Sequence, residues 1–280
     1  MNEKFTPDSK PAFCIIAPTA YLDQYAGIGE AHLILAHIVD KDPVYARYYR
    51  ERAQMFGSHR FIMDNGAFEL GESYPPEKLI DLAKKCGADA IVLPDYPGER
   101  AEVTIEAANK WIQPIRDAGF ATMFVPQSEK DEMEDWIYGY EWAGANPDID
   151  IIGMSILGIP NALSHVPAAY ARVVMTEILL DRCVFADKYH HYLGLNAGPA
   201  LEIPPLLATQ SLNSCDSSNP VWMAILGHEY STNTDSYLAV KKVKKEVDFN
   251  YPWVKDKATH DRIGRNLGLT MRMFDKVNGL

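Results

Sequence analysis

The sequence predicts a (β/α)8 barrel built as one domain over residues 1–280. Three observations lead there. Short apolar runs that end in polar or turn residues recur along the chain, and helix-like segments lie between most of them. From Phe61 to Ile151 these runs begin at intervals of roughly 30 residues, the size of one βα unit. Eight such runs, nearly continuous in apolar character, imply a parallel sheet covered on both faces. A barrel of typical size, roughly 250 residues, takes up the whole chain. A doubly wound sheet would place a glycine-rich phosphate turn after an early strand, and the sequence has neither GxGxxG nor GxxxxGK after any of them.

In chain order the predicted strands are FCIIAP from Phe13, FIMDNGA from Phe61, AIVLPD from Ala90, ATMFVPQ from Ala121, IIGMSILG from Ile151, HYLGLN from His191 and SLNSCDS from Ser211. EVDFNY from Glu246, the most polar of the set, is taken as the eighth. PPEKLIDLAKKCG reads as a helix opened by prolines and closed at Gly87, and TIEAANKWIQPIRDAG as one closed at Gly119. No Ser/Gly linker, low-complexity tract or abrupt change of composition divides the chain.

With 47% hydrophobic and 23% charged residues in 280, the composition is that of a globular protein and excludes disorder and collagen-like repetition. The longest apolar run, near His32 to Val39, is far short of the roughly 18 residues of a membrane span, and MNEKFTPDSK has no signal-peptide core. A cytoplasmic protein with no membrane partner is expected. Cys14, Cys86, Cys183 and Cys215 lack CxxC spacing, so reduced thiols are expected, with neither a disulfide framework nor a thiolate zinc site.

The formal charge of −11 has the wrong sign for coating nucleic acid by bulk electrostatics. The charge is unevenly spread. Segment 241–280 holds ten Lys or Arg against five Asp or Glu, beginning with Lys241, Lys242, Lys244 and Lys245, so the first 240 residues carry −16. Arg47, Arg50, Arg52 and Arg60 form a second basic cluster. Each is either a solvated helix face or a contact for a polyanion.

A barrel builds its function at the C-terminal ends of its strands. The residues there are Asp64, Asp95, Gln127, the Ile156 to Gly158 backbone, Asn196 and Asp216. A single Asp in such a place is commonly a turn former or helix cap. Three at one end of one barrel converge on a pocket. No histidine is expected at a strand end: His190 and His191 are read as preceding the sixth strand and His59 the second, and GxSxG is missing, so a Ser/His/Asp hydrolase is unsupported. Carboxylates suit displacement at a sugar anomeric carbon, where one attacks and another manages protons. Amides and glycine N–H groups suit a planar heterocycle, with Phe68 to stack on it.

These motifs resemble the tRNA-guanine transglycosylase superfamily, which exchanges guanine for a 7-deazaguanine on a (β/α)8 barrel. DNGAFE, Asp64 to Glu69, is similar to the family's DSGGFQ, which implies Asp64 as general acid/base and Phe68 as the stacking aromatic. Asp95 in VLPDYPG is similar to the Asp that bonds the guanine edge, and Gln127 in VPQS falls at the family's VQGG glutamine. GMSILG resembles GLAIGG and implicates the Leu157 and Gly158 backbone, while Leu193 and Gly194 in YLGLN correspond to the loop on the other face of the base. Asp216 in SCDSSNP matches the nucleophile that follows the seventh strand. The resemblance spans Phe13 to Pro220 with every motif in family order.

Asn65, Ala67 and Glu69 replace Ser, Gly and Gln, and Pro126 interrupts the glutamine motif. The CxCxxC and His zinc site of the tRNA enzymes is missing, and a barrel without the zinc-binding subdomain looks most like the phage DNA 7-deazaguanine transglycosylases, the DpdA-like branch. The resemblance implies a pentosyltransferase that needs no cofactor and binds DNA, guanine and a 7-deazaguanine such as 7-cyano-7-deazaguanine (preQ0). Lys241, Lys242, Lys244, Lys245, Arg47 and Arg50 are the expected phosphate contacts. Base exchange in tRNA, a hydrolytic nucleosidase or glycosidase, and a non-catalytic base-binding barrel are the competing readings.

Overall fold

Strands that are apolar on both faces need an inner core and an outer cover. The computed structural model describes residues 3–195, 199–230 and 246–275, without the side chains of 68, 69 and 199, and in it eight parallel strands meet both needs as a nearly closed barrel. They are β1 (Ala12–Ile15), β2 (Ala31–Leu35), β3 (Arg60–Asp64), β4 (Ala90–Val92), β5 (Ala121–Phe124), β6 (Ile151–Gly153), β7 (Tyr189–Tyr192) and β8 (Ser214–Ser217). The ladder runs from β2 through β3 to β8 in sequence order and ends on β1, which pairs β8 with Cys14 opposite Asp216. At the remaining seam, a Cβ on Gly29 would lie 2.6 Å from the Phe13 carbonyl oxygen. Only glycine lets the approach to β2 pass this close to β1.

Around the barrel lie α1 (Leu22–Tyr25), α2 (Ala36–Lys41), α3 (Pro43–Met55), α4 (Ala67–Leu70), α5 (Pro76–Cys86), α6 (Ala101–Asp117), α7 (Met133–Ala145), α8 (Gly158–Ala162), α9 (Ala171–Asp181), α10 (Pro199–Ala208), α11 (Asn219–Ile225) and α12 (Lys257–Asp275). The α5 helix has the expected limits: Pro76 opens it and Gly87, at φ 74°, closes it in the left-handed conformation that glycine tolerates. The α6 helix begins at Ala101, a little before the expected Thr104. Among the described residues no helix is long and apolar enough to cross a membrane.

Two expectations need correction. EVDFNY is not a strand. Residues 246–254 have no ladder partner and instead lie as a strap beside the β1 loop, where Thr19 N–H donates to the Phe249 carbonyl (3.0 Å) and Val254 N–H to the Tyr21 hydroxyl (3.2 Å). The missing strand is β2, hidden because AHLIL runs into AHIVDK of α2 with no Gly or Pro between them. The motif beginning at Asp64 therefore ends the third strand, and Asp216 lies within the eighth instead of after the seventh. The second correction concerns β7, which starts at Tyr189 and contains both His190 and His191.

Strand alternation sorts the two histidines. His190 points outward, its Nε2 2.8 Å from the Tyr140 hydroxyl on α7. His191 points into the barrel. Arg60 lies over the Tyr189 ring at the opposite end of the interior, 5.4 Å from its centroid, so the face that Arg60 shares with Ile62 and Asp64 is also the inner one. Asp64, His191 and Asp216 thus look into one space at the C-terminal end of the strands.

Candidate active site

Asp216 is 5% exposed, and its described neighbours hold it on one oxygen. The Gly194 N–H donates to Oδ1 at 2.8 Å, and His191 Nε2 lies 3.2 Å from the same atom. Among the described residues Oδ2 accepts no hydrogen bond from the protein. His191 has no exposed surface, and its other ring nitrogen, Nδ1, is 2.6 Å from Ser214 Oγ. Neither ring nitrogen is left for a substrate, so the His/Asp pair is not set up as a base toward bound water.

Gly194 sits at φ 70°, and its carbonyl accepts from Arg172 Nη2 at 2.7 Å. Arg172, on α9, is wholly buried and also donates to the Met154 (3.2 Å) and Leu193 (2.9 Å) carbonyls and, through two 2.8 Å hydrogen bonds, to Glu202 on α10. A buried charge is tolerated when it is paired and fully bonded. Here the pair fastens the loops after β6 and β7 beneath the carboxylate.

On the opposite arc, Asp95 and Gln127 follow β4 and β5. Asn65 Nδ2 donates to Asp95 Oδ1 at 2.7 Å and to the Leu93 carbonyl at 2.9 Å, while Gln127 Nε2 donates to Asp95 Oδ2 at 2.6 Å. Burial pushes the Asp95 carboxyl above its ordinary range, and the two amide hydrogen bonds pull it partly back. A carboxylate offers about four acceptor sites, so it keeps capacity for the N–H groups of a ligand. Gln127 Oε1 is buried without a partner among the described residues and lies 2.8 Å from where a Cβ on Gly158 would stand. Glycine at 158 is what leaves that oxygen its room. Asp64 is half-buried, and its Oδ2 accepts from the Gly66 N–H at 3.0 Å.

A cleft of about 390 Å3 opens beside Asp95, lined by Ser73, Tyr74, Tyr96 and Trp111 among others. A larger groove, about 590 Å3, runs along α12 between Glu229 and Arg272 and contains none of the strand-end residues, so its size does not mark it as the chemical site. Function in a barrel follows the strand ends.

The fold places Asp64, Asp95, Gln127, Gly158, Leu193, Gly194 and Asp216 at one end of the barrel. The Leu157 side chain is 51% exposed, and its N–H donates to Ser155 Oγ, as does that of Gly158. Phe68 lies on α4, but its side chain falls outside the described residues, as do Asn196, Lys241, Lys242, Lys244 and Lys245. The arginine cluster splits. Arg47 and Arg50 are exposed on α3, whereas Arg52 donates to the Gly27 carbonyl and stacks on Phe56, and Arg60 is buried and donates to the Lys10 carbonyl. Sequence reasoning missed Asn65 as a ligand of Asp95, His191 as a neighbour of Asp216, and Arg172. For Asn65 a signal existed in its place directly after Asp64 at a strand end. No protein-family model matches this sequence, and no curated protein does.

Proposed function

We propose that this barrel is a base-exchange transglycosylase, a pentosyltransferase that replaces guanine in DNA by a 7-deazaguanine of the preQ0 type through a covalent Asp216 glycosyl intermediate. One observation carries the reading. A carboxylate with one oxygen fixed and the other unclaimed among the described residues stands at the same barrel mouth as an acid–amide cradle suited to a purine edge. A nucleophile and a heterocycle site within one mouth are what displacement at C1′ of a nucleoside requires.

In this mechanism Asp216 Oδ2 attacks C1′ while the C1′–N9 bond breaks. The electron pair of that bond goes to N9 of guanine, which takes a proton from the Asp64 carboxyl. Guanine leaves and the 7-deazaguanine takes its place. Its N9–H returns a proton to Asp64, N9 bonds to C1′, and the C1′–Oδ2 electron pair goes back to Asp216. Asp95 accepts from the donors on the guanine edge, and Gln127 and the Gly158 backbone supply the remaining polar contacts. Reaching C1′ in a duplex requires an extruded nucleotide, at a cost of roughly a few kcal/mol that phosphate contacts offset. Arg47 and Arg50 are the described side chains expected to contribute to them.

The test is incorporation of labelled guanine and labelled preQ0 into duplex DNA, single-stranded DNA and tRNA in parallel, with Asp216→Asn as control. Label in DNA that the variant abolishes is the expected result. Label confined to tRNA keeps the chemistry and changes the polymer. Free base and abasic sites without label make the protein a hydrolase, and no reaction with any polymer removes the enzymatic reading.

A further inference from the structure

Resting on the base-exchange reading, we infer that His191 is a positioning residue that selects which oxygen of Asp216 attacks. The argument starts from acceptors and donors. A carboxylate only accepts, so the ring nitrogen 3.2 Å from Asp216 Oδ1 must carry a hydrogen. The Ser214 hydroxyl can donate or accept, and it faces Nδ1 at 2.6 Å, which leaves Nε2 to serve the carboxylate. The Gly194 N–H reaches the same oxygen at 2.8 Å from a loop fastened by Arg172. Two donors on Oδ1 fix the rotation of the carboxylate about its last side-chain bond and draw charge onto the atom that does not react. Oδ2 is then the oxygen that bonds to C1′ as the C1′–N9 pair leaves on guanine, and the one that gives C1′ up in the second half.

Position in the chain makes the pairing a consequence of register. His191 stands opposite Ser214 in the β7–β8 ladder, and Asp216 is the next residue on the same face of β8. The imidazole is fully buried, so no solvent competes for Nε2. A misaimed nucleophile lowers the rate of the bond-making step and leaves base recognition at Asp95 and Gln127 untouched.

The experiment compares the full-length protein with His191→Phe, which removes both nitrogens, and His191→Gln, whose amide N–H can replace Nε2–H. Each is assayed for kcat and KM in base exchange, and nitrogen-15 NMR reads the ring protonation in the resting wild type and in Asp216→Ala. The expected result for His191→Phe is a kcat lower by about 10- to 100-fold with KM little changed, largely recovered in His191→Gln. The NMR should show a hydrogen on Nε2 whose resonance moves in Asp216→Ala. Unchanged kcat in a folded His191→Phe, equal losses in both variants, or an Nε2 without hydrogen overturns the inference. If the wild type exchanges no base, the base-exchange reading has failed. The nitrogen-15 spectra, which need no activity and no variant at 191, then decide the His191 contact alone.

Discussion

Arg172 and Glu202 meet through two 2.8 Å hydrogen bonds with neither side chain exposed, and the same guanidinium holds three backbone carbonyls from the loops after β6 and β7. One of them belongs to Gly194, whose N–H holds Asp216. The ion pair is thus the footing of the proposed nucleophile.

Removing one member leaves a buried charge alone. Arg172→Met is expected to lose about 3–5 kcal/mol of stability, measured by urea unfolding. Arg172→Met combined with Glu202→Leu should recover most of that loss, because no unpaired charge remains. Base exchange should stay low in the double variant, since Gly194 still lacks its carbonyl partner. A double variant that recovered stability and activity together would show that the loop holds its shape unaided.

Acid should destabilise the protein through its buried histidines. Burial lowers His190 and His32 from 6.5 to about 3. In the unfolded chain they take up protons near pH 6.5, and in the folded protein only near pH 3. Their contribution is complete above pH 6.5 and is lost as pH falls from there toward 3, at about 1.4 kcal/mol per pH unit for each residue. His190→Gln should flatten the acid limb of stability, followed as the urea midpoint between pH 7 and pH 4. Parallel limbs for the variant and the wild type would exclude His190 as a source.

The carboxyl of Asp95 is raised by burial and restrained by Asn65 and Gln127. Asn65→Leu removes a hydrogen bond to the charged form, so the carboxyl should move further up and the acid limb of guanine binding should move to higher pH. Carbon-13 NMR titration of the Asp95 carboxyl reads the first effect without reference to activity. A titration that moved down, or stayed in place, would mean that solvent had replaced the amide.

If Arg47 and Arg50 contact phosphates, Arg47→Glu combined with Arg50→Glu should weaken DNA binding across all sequences. The slope of log affinity against log salt should fall in magnitude by about 2, or about 1 for each lost contact. Arg52→Ala is the contrasting variant: that side chain already serves Gly27, so its loss should lower stability and leave the slope alone.

The barrel was legible because most strands end in a polar or turn residue that stops the apolar run, as at Asp64, Asp95 and Gln127. Those same residues form the candidate site, so one signal served for both. Where the punctuation fails, so did the reading. Leu35 passes into Ala36 without a breaker and concealed β2, whereas Glu246 to Tyr251 borrowed the appearance of a strand from apolar residues that pack on the β1 loop and α11, such as Tyr251 against Trp222. His190 was left outside its strand, and His191 put at its start, because the polar pair Tyr189 and His190 lacks the apolar character by which the other strands were recognised. Arg172 carries no signal at all, since a basic residue in the first turn of a helix is ordinarily solvated and its partner lies on another helix.

The seam of the barrel also governs the order in which the chain can assemble. β1 is made first, yet among the described residues its only ladder partner is β8, and the strap that bonds Thr19 and Tyr21 comes later still. Each of β2 to β7 has its next ladder partner once the following strand is made, whereas β1 has none until β8 follows. The carboxylate of Asp216 arrives on the strand that ends this wait, so the mouth acquires its proposed nucleophile in the same event that closes the ring.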